Sequence, residues 1–336
     1  MTIVYSERYK DHVIHPGHPE SPQRLDAIRD SLEAHGLWKD VLQPKDATTK
    51  EIESIHSIEY LQALDRLGDL EWTPDTISHR DTFAIARLAA GGSIMAAERA
   101  WEDGKPAIAL VRPPGHHAIR DRAMGFCYLN NIAIAAKKML GKAKRIAIVD
   151  IDVHHGNGTQ EAFYDSKDVL YISTHQKWIF PGTGSPDEYG SGDGEGYTIN
   201  IPMNMGAGDA SFEFAYQKII LPILSEFKPS MLLVSIGTDS HYLDPLASLS
   251  LSSKGYAEEI GSLLTFAKEH CGNRIAFFLE GGYELSVLAE IITHTVGLFE
   301  GRLTPLTHVE VRDKKGVDIE SLRAIAQMHK QYWNLA

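Results

Sequence analysis

The sequence predicts an α/β fold with a single, mostly parallel β-sheet and helices on both faces. Three observations predict it. Short runs of Ile, Val, Leu and Ala alternate with helical patterns, the arrangement that βαβ crossovers produce. The runs AIALV and IAIV are continuous in apolar residues, as strands covered on both faces must be. Four such runs end abruptly in polar residues: residues 107–117 (AIALVRPPGHH), 145–156 (RIAIVDIDVHHG), 231–241 (MLLVSIGTDSH) and 274–283 (RIAFFLEGGY). In an open α/β sheet, ligands bind outside the carboxyl ends of the strands, so these four ends converge on one site.

Taken in order, TIVY opens the chain as a strand. Residues 21–35 (SPQRLDAIRDSLEAH) have helical spacing, with Ser21 placed to cap and Pro22 in the first turn. Residues 83–102, 131–140 and 209–227 read as further helices. VLYISTH at 169–175 reads as a strand, and the glycines of 190–196 (GSGDGEG) as a turn before the strand YTINI. Residues 71–80 read as a rim loop. A helical tail is expected over about 312–334, where residues 318–333 are amphipathic. No repeat or low-complexity linker interrupts the 336 residues, so one domain over 1–336 is expected.

Composition narrows the function. Apolar residues are 43% and charged residues 23%, ordinary for a folded enzyme. A net charge of −12 argues against direct nucleic-acid binding, which needs concentrated Lys and Arg. The two cysteines, Cys127 and Cys271, form no CxxC pair, so a reducing compartment is expected. The amino terminus has no apolar signal-like run and no segment reaches membrane-spanning length. A cytoplasmic protein without membrane contact is expected.

The residues at the strand ends suit a metal. Alternate residues of an extended strand point the same way, so Asp152 and His154 leave the sheet on one side and Asp239 supplies a third ligand. Two carboxylates and an imidazole leave an open position for water and substrate. A calcium loop starting at Asp150 fails twice: its sixth position is His155 rather than Gly, and a strand, not a helix, precedes it. Two aspartates offset the charge of a divalent ion, so its water needs a base. The tandem His116-His117, in a turn fixed by Pro113, Pro114 and Gly115, suits proton transfer. Tyr283, after two glycines, suits hydrogen bonding to an oxyanion.

With these residues assembled, the chain resembles the histone deacetylase superfamily of zinc-dependent deacetylases, which includes acetylpolyamine deacetylases. The motifs are HPESPQRL (18–25), RPPGHHA (112–118), GFCYLNN (125–131), VDIDVHHGNGTQ (149–160), FPGTG (180–184) and GGY (281–283), and the likeness runs over about 5–299. The resemblance implies an arginase/deacetylase-like fold and hydrolysis of an acetyl or other short acyl amide of lysine, in peptides or proteins, or of another acylated amine. It implies one zinc, or ferrous iron, on Asp152, His154 and Asp239, with His116, His117 and Tyr283 catalytic. Gly125, Phe126 and Phe180 match the tunnel for the acyl-lysine stem, and Asp75 lies at its rim. Asp150 matches the carboxylate that orients His116, and with Ser173 a site for structural potassium or sodium. Asn157, in HHGNGTQ, is similar to class II members and gives His117 an amide partner in place of a carboxylate. Two departures stand out: Thr238 precedes the third ligand where relatives carry Phe, and Leu246 stands where polyamine-preferring relatives carry a glutamate. The rival functions are a binuclear manganese ureohydrolase and a non-catalytic acyl-lysine binder.

Overall fold

The computed structural model describes residues 1–66 and 68–335. Ten strands occur among them: β1 (Thr2–Val4), β2 (Val41–Leu42), β3 (Leu70–Thr73), β4 (Thr76–Ser78), β5 (Ala107–Ala109), β6 (Ile146–Asp150), β7 (Val169–Gln176), β8 (Thr198–Met203), β9 (Met231–Ile236) and β10 (Ile275–Leu279). Eight form one sheet in the order β2-β1-β5-β10-β9-β6-β7-β8. Every pairing in it is parallel.

The order explains where the site lies. After β5 the chain passes over to β6, builds outward through β7 and β8, and then returns to insert β9 and β10 into the gap. The four polar-ended runs therefore lie side by side as β5, β10, β9 and β6. Their carboxyl ends open onto one crevice, at the reversal of strand order where such sheets bind ligands.

All residues of β5 through β10 are buried, as continuous apolar strands require. Helix Thr82–Asp103 covers β1, β5 and β10, and Asn131–Met139 packs on it and against β9. A second helical layer is made by Gln23–Ala34, Leu285–Phe299 and Ser253–His270, packed in that order.

Several expectations change in detail. β6 stops at Asp150, so Asp152 and His154 lie in the loop beyond and not on the strand itself. Likewise β5 covers only Ala107–Ala109, and the His-His pair follows in a non-ladder segment rich in proline, which cannot donate to a ladder. Ser21 caps nothing through its side chain; Pro22 occupies the cap position of the helix. The helix expected over 209–227 is broken into Asp209–Ala215, a π-turn at Tyr216–Ile220 and Leu221–Phe227, with Pro222 in the first turn of the last piece. A proline lacks the N–H that would continue the ladder, and the wider turn absorbs the fault. Residues 71–80 are not a plain loop, because β3 and β4 pair there as an antiparallel hairpin. In the tail only Ile319–His329 is helical, since the Asp313 carboxylate bends the preceding segment by accepting from Gly208, Gly316 and Val317 N–H groups.

Candidate active site

The loops after the four central strands, with the β3–β4 hairpin and the loop after β7, enclose a pocket of about 240 Å³ lined by Asp75, Pro114, His116, His117, Gly125, Phe126, Asp152, His154, Phe180, Leu246, Gly281 and Tyr283. Every residue expected for catalysis, tunnel or rim lines it. Asp239 lies beneath, fully buried.

At the floor, His154 Nδ1 is 3.1 Å from Asp152 Oδ1 and 3.3 Å from Asp239 Oδ2. Ligand atoms bound about 2.0–2.2 Å from one tetrahedral ion lie roughly 3.3–3.5 Å apart, so one nitrogen facing two carboxylates has the spacing of three corners of such a site. The ligand atoms of Asp152, His154 and Asp239 all fall within 4.8 Å, the one such group among the described residues. Asp239 Oδ2 is buried with no hydrogen-bond partner, an unsatisfied acceptor that a cation would satisfy. The other carboxylate atoms are fixed by backbone: Asp239 Oδ1 accepts from Val153 N–H at 2.9 Å and Asp152 Oδ2 from Gly281 N–H at 2.8 Å. Gly281 must be glycine here, because a Cβ would sit 2.2 Å from Asp239 Oδ2. These residues fit a divalent metal. Burial opposes charge on His154, yet the two aspartates hold a proton on it up to a pKa of about 10, and a metal ion would take that proton's place.

The tandem histidines differ in environment. His116 Nδ1 lies 3.1 Å from Asp150 Oδ2, and although burial disfavours its charge, Asp150, Asp152 and Glu280 lift its pKa to about 10. His117 Nδ1 lies 2.9 Å from Asn157 Oδ1, and burial, with the charges of His116 and His154, pushes its pKa well below the usual value. The two imidazoles are thus pushed in opposite directions, one toward the cation and its neighbour toward the neutral form, the separation that acid–base pairs require. Asn157 Nδ2 also donates to the His117 carbonyl, which fixes the amide's orientation with its oxygen on the ring.

The walls are held from outside the pocket. Phe126 receives its place from the rim hairpin, its N–H donating to Thr76 Oγ1 at 2.9 Å. Phe180 packs edge-on to His117 with centroids 4.9 Å apart. Between them, a Cβ on Gly125 would collide with both His117 and Phe180. Asp75 is exposed, with Oδ1 accepting from Thr73 and Thr76 hydroxyls. Thr238 is buried directly before Asp239, as its sequence position implies. Asp150 and Ser173 are register partners across β6 and β7, both fully buried. Their oxygens already have protein partners in Asp152 N–H, Tyr171 and His175, so the alkali-cation expectation rests on the resemblance alone.

Three positioning residues escaped the sequence reading. Glu280, fully buried, accepts from Gly115 N–H at 2.7 Å and His116 N–H at 3.2 Å, anchoring the histidine turn. Asp244 accepts from Tyr283 N–H at 2.7 Å and Leu246 N–H at 2.9 Å. Arg24 donates to the Gly282 carbonyl at 2.8 Å and lies 5.1 Å from the Tyr283 ring centroid. The available signal was position: Glu280 abuts the two glycines, Asp244 follows the third ligand by five residues, and Arg24 sits inside HPESPQRL.

The parallel sheet delivers a candidate metal-ligand set, a histidine pair and a tyrosine to a narrow pocket at its carboxyl edge, an arrangement suited to metal-assisted hydrolysis. Comparison with known proteins makes the assignment specific. The profile described as "Histone deacetylase domain" matches residues 18–299. A "Probable deacetylase" of Archaeoglobus fulgidus is 42% identical over 293 residues, covering 84% of this chain and 81% of that protein. "Histone deacetylase 14, chloroplastic" of Arabidopsis thaliana is 39% identical over 300 residues, covering 82% and 71%. The crystal structure of the HDA15 HD domain superposes with a TM-score of 0.89 at 34% identity, covering 99% of this chain and 97% of that one. The chain belongs to the histone deacetylase family. Among the described residues no helix is long and apolar enough to cross a membrane.

Proposed function

We propose that the protein hydrolyses the ε-amide of acetyl-lysine, or of a lysine carrying another short acyl group, in peptides or proteins. The observation that carries this reading is the pocket that gathers His116, His117, Tyr283 and the ligand set at the end of a channel walled by Phe126 and Phe180. Such walls suit the apolar stem of a lysine side chain and exclude water from the chemistry. Zinc held by Asp152, His154 and Asp239 would supply Lewis-acid polarisation of the amide carbonyl and of the attacking water.

The chain's own groups complete the reaction. His117, with Nδ1–H committed to Asn157, offers Nε2 as the base that removes a proton from water. His116, held as the cation by Asp150, returns a proton to the departing amine nitrogen. The Tyr283 phenol, kept protonated by burial, donates to the oxygen that becomes an oxyanion. Leu246 in the wall, where a glutamate would recruit a second ammonium, favours lysine over polyamine substrates. The presence of one metal-binding group among the described residues disfavours a binuclear ureohydrolase.

Hydrolysis rates measured across acetyl-lysine peptides, longer acyl-lysines and acetylated polyamines, with and without chelator, test the reading. Chelator-sensitive turnover led by acetyl-lysine peptides is expected. Turnover confined to acetylated polyamines would overturn the substrate class.

A further inference from the structure

The segment just beyond β7 carries an aromatic residue that the fold does not use. Trp178 is 95% exposed, and its backbone is left-handed, with φ of +64°. Bulky side chains rarely adopt that conformation, and it persists only where surrounding structure enforces it. Of the five such non-glycine residues among those described, three are Asp40, Lys228 and Asn273; the two aromatic ones are Phe126 and Trp178. Phe126 is a wall of the catalytic channel.

Trp178 lines a second cavity of about 190 Å³, together with Ile179, Phe180, Pro186 and Pro202. Phe180 is a wall of both cavities, so this one lies directly behind the channel wall. The two are also tied by hydrogen bonds. Gln176, which lines the second cavity, accepts from Ser248 N–H at 2.7 Å, and Ser248 lies two residues from Leu246 of the channel. The Gly206 N–H donates to the Ser248 carbonyl and so brings the Met205 turn to the same loop. Exposed apolar side chains stand here, Met205 at 72%, Leu243 at 41% and Leu246 at 39%, among the exposed polar residues Thr183, Ser185, Asn204 and Ser248. Exposed apolar side chains beside a reaction channel suit contact with a substrate. Lys177 is the one charged residue in the lining, and its Nζ is engaged by Ser321.

We propose that this cavity, with Trp178 as its outer wall, is a subsite for a large apolar side chain adjacent to the acylated lysine. The preferred substrate is then a peptide segment carrying an aromatic or branched aliphatic residue beside that lysine. The volume, about six times the ~30 Å³ share of a liquid water, is the scale of one such side chain. The inference rests on the acyl-lysine reading above and deepens it.

The test uses the zinc-loaded protein and acetyl-lysine peptides that differ only in the residues flanking the lysine, Gly against Phe or Leu on either side. In the wild type an apolar flank raises kcat/KM about tenfold over Gly, mainly through KM, the size of effect that burying one large side chain gives. Trp178→Ala lowers that ratio to about one, and Trp178→Phe keeps most of it. Because Trp178 is 95% exposed, neither change disturbs packing. Equal rates for Gly and apolar flanks in an active wild type, or a ratio that survives Trp178→Ala, would overturn the subsite alone. Turnover of acetylated polyamines but of no peptide would overturn the acyl-lysine reading and the subsite with it.

Discussion

The floor of the pocket and its rim are built on opposite plans. On the floor, Asp150, Asp152, Asp239 and Glu280 are each at most 1% exposed; Asp150 accepts from the N–H of Asp152 just beyond it, and the other three each accept from a backbone N–H of another loop. Their positions are fixed by main chain that follows three neighbouring strands, β5, β6 and β10. At the rim, Asp75 bonds only hydroxyls of its own hairpin, and Trp178 stands in solvent. The difference separates chemistry from selectivity: the rigid end holds groups to the tolerance catalysis needs, while the open end can change without disturbing them.

The contrast predicts a descending series of effects from floor to rim. Asp239→Asn, at the bottom, should lower kcat/KM by at least about 10³, with metal content falling in parallel by elemental analysis. Tyr283→Phe should cost about 10²–10³ in kcat while metal content stays at the wild-type level, the size of a lost oxyanion donor. Near-normal turnover in that variant would remove Tyr283 from the mechanism. Asp244→Asn lies between the two regions, and its loss of one acceptor should lower kcat about tenfold with little change in KM, because it acts through the backbone of Tyr283.

Asn157→Asp tests the histidine assignment through pH. A carboxylate beside His117 would favour its charged form, so its pKa rises and the neutral base is reached only at higher pH. The acidic limb of the kcat/KM profile should move upward by about one unit or more. An unmoved limb would sink His117 as the base. At the rim, Asp75→Asn should change KM by at most about fivefold and leave kcat alone, as exposed charges contribute about 0–1 kcal/mol.

Legibility in the sequence follows the same division. The candidate ligands and the tandem histidines stood out because each sits in a short contiguous motif at a strand end, and the parallel sheet because βαβ alternation leaves continuous apolar runs. The clamps were not readable: Glu280 reaches Gly115 across 165 residues and Asp244 reaches Tyr283 across 39, and no local pattern encodes such partners. Backbone detail was lost where one residue overrode periodicity, as Pro222 did at the π-turn. The strand ends were placed too far along because Asp152 and His154 alternate like a strand but lie in the loop beyond it. The hairpin β3–β4 was missed because its strands are only four and three residues long, too short for the alternation Leu70-Glu71-Trp72-Thr73 to stand out.

The central claim is that one divalent metal on Asp152, His154 and Asp239 supports hydrolysis of an acyl-lysine amide. The direct measurement is acetate release from an acetyl-lysine peptide as metal-stripped protein is titrated with zinc. The account predicts no activity at the start, a linear rise that levels off at one zinc per chain, and no rise at all in Asp239→Asn. Full activity in the stripped protein, or a plateau only at two metals per chain, would contradict it.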